Sequence, residues 1–405
     1  MSDDLPIEVA ALRRRLGLPL LVLYGTGITI GAGIYVLIGA VAGHAGVYAP
    51  WSFLLAAIVM ALTVASYAEL STRFPVSAGE AAYVRAAFQS RLLSTAIGLL
   101  TFVVGVVSSS AVALGSAGYI AQFVDLPQSL IVVVVVMALG AVAAWSILES
   151  VLLASVFTLV EVGGLLAIIA AAVHTELPIV LAPPPLEFAA LSGVAFASLL
   201  AFFAFAGFED LANVVEEAKM PHRDIPRAMV LTLLISTILY VAVAAIAISA
   251  VSIERLSSSP APLTLVFREV AGISPAAINA VAIVATLNTI LAQMTTAARV
   301  IYGMARQGDL PAIASRVHPR TATPLFATGL IVASVITLAL TVSLERLAEG
   351  TSLATLVIFA AVNLALLRLR HRRIHSHGPH VRVPIWVPAA GLATCVAMIA
   401  SALLK

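Results

Sequence analysis

Gly25-Thr-Gly-Ile-Thr-Ile-Gly-Ala-Gly33 lies in the middle of an apolar run from Leu18 to Gly43. Such a run exceeds the ~20 residues a helix needs to cross a bilayer. Glycine is a poor helix former and leaves backbone polar groups without side-chain cover. In hydrocarbon an unpaired N–H or C=O costs several kcal/mol, so irregular backbone persists only where it lines a cavity within the protein. A spanning segment that breaks at its midpoint therefore points to a binding site. A small-residue seam for close helix packing is the alternative.

Composition agrees with a membrane setting. Of 405 residues, 61% are hydrophobic and 10% charged, with a mean hydropathy of +1.09. Soluble domains carry about 25% charged residues, so an all-α polytopic membrane protein is expected. The net charge of +2 gives no reason to expect nucleic acid, and the lone Cys395 excludes an internal disulfide or a cysteine-ligated metal. Arg13-Arg-Arg15 before an apolar run has the outline of a signal peptide, but the run is too long, and an uncleaved first span is expected.

Eleven spans are expected, near 18–43, 50–72, 94–122, 128–147, 150–173, 190–217, 226–251, 275–304, 324–342, 351–369 and 384–404. With residues 1–17 as a cytoplasmic segment, 18 of the 22 basic residues fall on the inner side. That places the N-terminus inside and the C-terminus outside, in the cell membrane. Ser71–Leu92 and Gly308–Thr323 read as short interfacial segments, and Pro226 as lying in the seventh span's first turn. The basic stretch Arg368–His380 holds His371, His375, His377 and His380, read as attracted to lipid headgroups rather than to a metal.

The sixth span supplies a second break. Phe202-Phe-Ala-Phe-Ala-Gly-Phe-Glu-Asp210 puts two acids deep in an apolar run. If the helix breaks near Gly207, Glu209 and Asp210 head a second half-helix, where its dipole favours negative charge. They read either as gating groups or as simple caps. Breaks in the first and sixth spans, five spans apart, fit two inverted five-span halves, 18–174 and 190–369, with an extra helix at 384–404. Broken helices at corresponding positions of two halves mark a secondary transporter's site.

Half-helix N-termini suit a carboxylate, and unwound carbonyls suit an ammonium. Gly31, Ala32 and Gly33 would offer amides, and Thr29, Phe203, Ala204 and Ala206, beside Gly207, would offer carbonyls. Phe203 and Phe205 read as a lid over the ligand or as packing. Val106, Val107, Ser108, Ala285 and Ala292 are candidate pocket walls, small and apolar, which suits a neutral amino acid.

Gly27-Ile-Thr-Ile-Gly-Ala-Gly-Ile-Tyr35, Tyr67-Ala-Glu-Leu-Ser71, Ser77-Ala-Gly-Glu80, Phe205-Ala-Gly-Phe-Glu209, Glu216–Arg227 and Tyr302–Pro311 together resemble the amino acid–polyamine–organocation permeases. That resemblance implies the LeuT-type five-plus-five inverted repeat, alternating access, amino acid substrates, and a ligand on residues 29–33 and 203–207. The family commonly has twelve spans where eleven are read here.

Glu161, mid-way along the fifth span, bears on energy coupling. Intramembrane acids are costly and commonly act as proton relays. The resemblance implies that some proton-coupled relatives carry a lysine here, where sodium binds in another branch. Proton coupling, a sodium site, or a neutral Glu161 hydrogen-bonded to Thr286, Asn288 or Thr289 are the three readings. Glu69 and Glu80 have Arg73 and Arg85 as neighbours for inner-side contacts. The expected function is proton-coupled symport of neutral amino acids, with an amino acid or polyamine exchanger and a sodium symporter as alternatives. No organic cofactor is expected, and no assembly state is read. No His-Glu-x-x-His or Gly-x-Ser-x-Gly motif suggests an enzyme, and no repeated filter motif suggests a channel.

Overall fold

Helix α1 (Leu18–Ile30) stops at Gly31, whose φ of 14° and ψ of −122° leave the helical region, and α2 (Gly33–Ala45) starts two residues later. The computed structural model describes residues 16–75, 79–144, 151–306, 308–316, 324–372 and 380–403. Arg13–Arg15, Ser77, His375, His377 and Lys405 lie outside them.

After α2, Gly46 turns the chain at φ 58° into α3 (Ala49–Arg73). A short α4 (Gly79–Phe88) precedes α5 (Arg91–Ile120), α6 (Gln128–Ala144) and α7 (Val151–His174). Next come α8 (Phe188–Phe205), two 3-10 turns at Phe208–Ala212 and Val215–Glu217, and α9 (Pro221–Ala250). The remainder is α10 (Ile253–Ser258), α11 (Pro262–Ala271), α12 (Ala276–Arg306), α13 (Leu325–Thr341), α14 (Leu344–His371) and α15 (Trp386–Leu403). The described residues hold no strand. A single backbone bridge joins Leu16 to the turn before α9, where Leu16 N–H donates to Glu217 and Lys219 N–H donates to Leu16.

Among the described residues, seven helical stretches are long and apolar enough to cross a membrane, with four shorter apolar helices beside them. Together they make a polytopic membrane protein. Many lipid-facing side chains are large and apolar, among them Leu159, Val230 and Leu330, because hydrocarbon is their solvent.

Two expectations need correcting. The sixth span does not resume as a half-helix after its break, since Phe208–Ala212 forms a 3-10 turn. Asn213 and the second turn then lead straight into α9, which starts at Pro221. Pro226 is therefore inside α9 rather than in its first turn. Two short helices, α10 and α11, fill the connection between the seventh and eighth spans. Helix α11 buries Leu263, Val266, Phe267 and Val270, so its apolar face is core rather than linker.

The first and sixth spans pack at the centre. Helix α1 lies against α7 and α9, while α2 lies against α8. Helix α3 packs on both α8 and α9, and α5 runs along α12.

Candidate functional site

The two breaks touch through glycine. A Cβ on Gly33 would sit 2.4 Å from the Ala204 Cα, so the start of α2 lies directly on the backbone of α8. Gly207, at φ 123°, lies against Ile28, whose carbonyl oxygen would be 3.0 Å from an added Cβ. That φ is a conformation only glycine adopts readily. The other glycines of the opening stretch are seated too. Gly25 faces Thr232 of α9, Gly27 faces Thr158 of α7, and Gly31 faces Thr289 of α12, each with less than 3 Å for an added Cβ. The stretch is thus both a broken helix and a packing seam.

Breaking a helix frees carbonyls that the next turn would have covered. At this junction a third helix takes them. Tyr240 on α9 has its hydroxyl 2.8 Å from the Thr29 carbonyl and 2.8 Å from the Ala204 carbonyl, and its proton can serve either. Its ring packs on Phe205 at 4.9 Å and on Phe53 at 5.7 Å. Nothing in the sequence marks Tyr240, because a single tyrosine in an apolar span carries no local pattern.

Other backbone groups at the breaks are satisfied locally. Gly31 N–H closes the last turn of α1 on the Gly27 carbonyl at 3.0 Å, and Ala206 N–H donates to Phe203 at 3.2 Å. Gly207 N–H donates to the Glu209 carboxylate at 2.8 Å. Asn213 donates to Asp210 at 3.1 Å. Glu209 thus turns back on the amide at the break, while Asp210 holds the Asn213 side chain at the end of the turn that follows. Phe203 and Phe205 are buried in the packing around it.

Behind the breaks, α7 brings Glu161 to complete burial. Asn288 donates to one carboxyl oxygen at 3.4 Å, and the other, Oε2, has no hydrogen-bond partner among the described residues. Thr286 and Thr289 turn instead to the carbonyls of Ile283 and Ala285. Tyr35 on α2 donates to the Glu161 backbone carbonyl at 2.6 Å, and Tyr119 on α5 donates to the Tyr35 carbonyl at 2.5 Å. Tyr35 and Tyr240 both lie within electrostatic range of Glu161. The buried acid's own backbone is thereby tied to the second half of the first broken span.

The sequence profile of the family described as "Amino acid permease" matches residues 16–404. The chain belongs to that family. This permease is 30% identical over 394 residues to the branched-chain amino acid permease BcaP of Bacillus subtilis, covering 90% of this chain and 82% of that one. It is 30% identical over 401 residues to the vacuolar cationic amino acid transporter 4 of Arabidopsis thaliana, spanning 92% of this chain but 65% of the plant protein. A methylthioribose transporter of Bacillus subtilis is 28% identical over 395 residues, at 91% and 82% coverage. The protein is a transporter, not an enzyme.

Within the permease, Thr29, Gly31, Ala32, Gly33, Phe203, Ala204, Ala206 and Gly207 converge on one junction, with Glu161 behind it. Val106 and Val107 lie elsewhere, lining a groove of about 450 Å³ against Ala333, Ser334 and Thr337 of α13. Glu69 and Glu80 also find partners other than those expected. Glu69 is bound by Arg370 as well as by Arg73, and Glu80 accepts a 3.0 Å hydrogen bond from Tyr67. Arg370 is 301 residues from Glu69, beyond any local pattern.

Proposed function

We propose that this permease is a secondary active transporter of neutral amino acids, coupled to protons through Glu161. Its substrate would sit at the junction of the two breaks, between the Ala32–Gly33 backbone and residues 203–207. The observation that carries the reading is the half-satisfied Glu161 carboxyl, fully buried, on a residue whose backbone carbonyl is held by Tyr35 of the first broken span. An ionised carboxylate in that setting is costly, and a proton removes the cost. Loading and release of a proton there would change the balance at the breaks through Tyr35 and Tyr240.

A LeuT-type inverted repeat, 18–174 against 190–369 with α15 outside it, is supported by which helices meet. The packing of α1 on α9 has its counterpart in α8 on α3, and that of α5 on α6 in α12 on α13. The packing of α5 on α13 is likewise mirrored by α12 on α6. Such pairing is what an exchange of the two halves would produce, and it supports eleven crossings and alternating access. A cytoplasmic N-terminus in the cell membrane is supported by the bridge that sets Leu16 beside Lys219, near the basic start of α9.

A neutral substrate is supported by the hydrogen bonds that already engage Glu209 and Asp210 within their own turn. The test is uptake into vesicles containing the purified protein. Saturable accumulation of branched or small neutral amino acids under an inward proton gradient is expected. Dependence on sodium, or uptake only against internal amino acid, would replace the proton reading with sodium symport or exchange. Preferred uptake of lysine or arginine would overturn the substrate class.

A further inference from the structure

The joint between α14 and α15 holds a groove of about 660 Å³, lined by Arg370, His371, Arg382, Val383 and Ile385 among others. Its walls are fixed from behind. Val383 N–H donates to the Glu69 carboxylate at 2.9 Å, and Val381 N–H donates to the Thr72 hydroxyl at 3.1 Å. Arg370 binds the same carboxylate and donates to the Val383 carbonyl at 2.6 Å. The extended stretch 381–383 is thus fastened to α3, with Arg382 between two anchored residues.

The charges around the groove do not balance. Arg73 and Arg370 already pair the one carboxylate of Glu69, and Arg382 lies within electrostatic range of Arg73. Arg382 is exposed and has no ion pair among the described residues, and no carboxylate lines the groove. His371 adds a further basic group. Arg368 is engaged elsewhere, since it donates to the Ala87 carbonyl at 3.0 Å and covers the Phe88 ring at 4.7 Å. At the open edge Ile385 and Trp386 are 65% and 62% exposed. An exposed tryptophan beside a basic cluster at a helix end is the signature of the membrane–water boundary.

We propose that this groove binds the phosphate of an anionic phospholipid, with Arg382 and His371 on the headgroup and Ile385 and Trp386 against the acyl chains. A basic pocket at the end of a spanning helix is the chemistry such headgroups select. Inorganic phosphate shares the charge but leaves the apolar edge unused. A bound lipid would bridge the end of α14 to the fastened stretch and hold the start of α15 against α3.

The full-length protein in detergent, stripped of lipid, is titrated with phosphatidylglycerol, phosphatidylcholine and inorganic phosphate, and binding is read by native mass spectrometry. Phosphatidylglycerol is expected to bind more tightly than phosphatidylcholine. Arg382→Gln and His371→Gln should each weaken it by up to about fivefold. Arg346→Gln, at the opposite end of α14, should change nothing. Equal affinity for both lipids, or unchanged phosphatidylglycerol binding in the Arg382→Gln, His371→Gln double variant, would overturn the proposal. Complete displacement of phosphatidylglycerol by millimolar inorganic phosphate would overturn the lipid assignment. Thermal unfolding matching the parent's shows that the double variant folds.

Discussion

Glu69 and Glu161 are both acids on long apolar helices, 1% and 0% exposed, and the protein treats them in opposite ways. Glu69 sits at the end of α3 with two arginines and a backbone amide on its carboxylate. Glu161 sits mid-helix with one long amide contact and one oxygen without a partner among the described residues. The first is paired by its neighbours and ties α3, α14 and the stretch before α15 together. The second has nothing that fixes its charge. A buried acid with full compensation builds structure, whereas the one left half-satisfied beside a broken helix is the group that the function proposed above makes the proton carrier.

That contrast can be broken most sharply at Glu69. Glu69→Leu leaves Arg370 and Arg73 buried without their anion, and the expected loss is about 3–5 kcal/mol. Joint replacement of Glu69 and Arg370 by leucine should be less damaging than the single change. Denaturation of the detergent-solubilised variants checks both, and a loss below about 1 kcal/mol for the single variant would erase the distinction between the two acids.

Packing, rather than charge, is expected to hold the breaks in front of Glu161. Gly33→Val pushes two methyl groups beyond a Cβ that already overlaps Ala204, at an expected cost of about 1–3 kcal/mol. Gly33→Ala should fall between the parent and valine in the same melting series. Tyr240→Phe removes one hydroxyl from the Thr29 and Ala204 carbonyls and should cost about 1 kcal/mol, with slower transport. An unchanged melting temperature and rate would mean that the breaks do not need Tyr240.

Glu80 is an intermediate case, a buried acid with a neutral partner. Burial pushes its carboxyl above the usual range, opposed by backbone hydrogen bonding and by the hydroxyl of Tyr67. An acid whose pKa rises on folding favours the folded state less as the pH climbs past its ordinary value. Glu80→Gln should therefore melt higher than the parent at pH 8 and match it near pH 4. A difference of the opposite sign would mean that the fold favours the charged form of Glu80.

The breaks were legible because glycine is locally informative. Gly31 and Gly207 each mark the point where a helix ends, within a residue or two. The form taken after the second break was not legible. Phe208–Glu217 has a composition that a helix would accept, and the 3-10 turns follow from Glu209 capping Gly207 and Asp210 engaging Asn213, which are contacts of the folded chain. Glu161 stood out as a lone acid in an apolar run. The Glu69–Arg370 pair did not, since charge complementarity across 301 residues leaves no trace in a local window. The sequence suggested Arg85 for Glu80 because it is near in the chain, and the fold supplied Tyr67 instead.

The most direct measurement compares the parent with Glu161→Gln in vesicles, reading both accumulation under a proton gradient and exchange of labelled for unlabelled neutral amino acid. Glutamine keeps the shape and lacks the exchangeable proton, and a melting curve checks that the variant folds. The account predicts loss of gradient-driven accumulation with exchange retained. Accumulation equal to the parent's would contradict it and leave Glu161 a structural residue like Glu69.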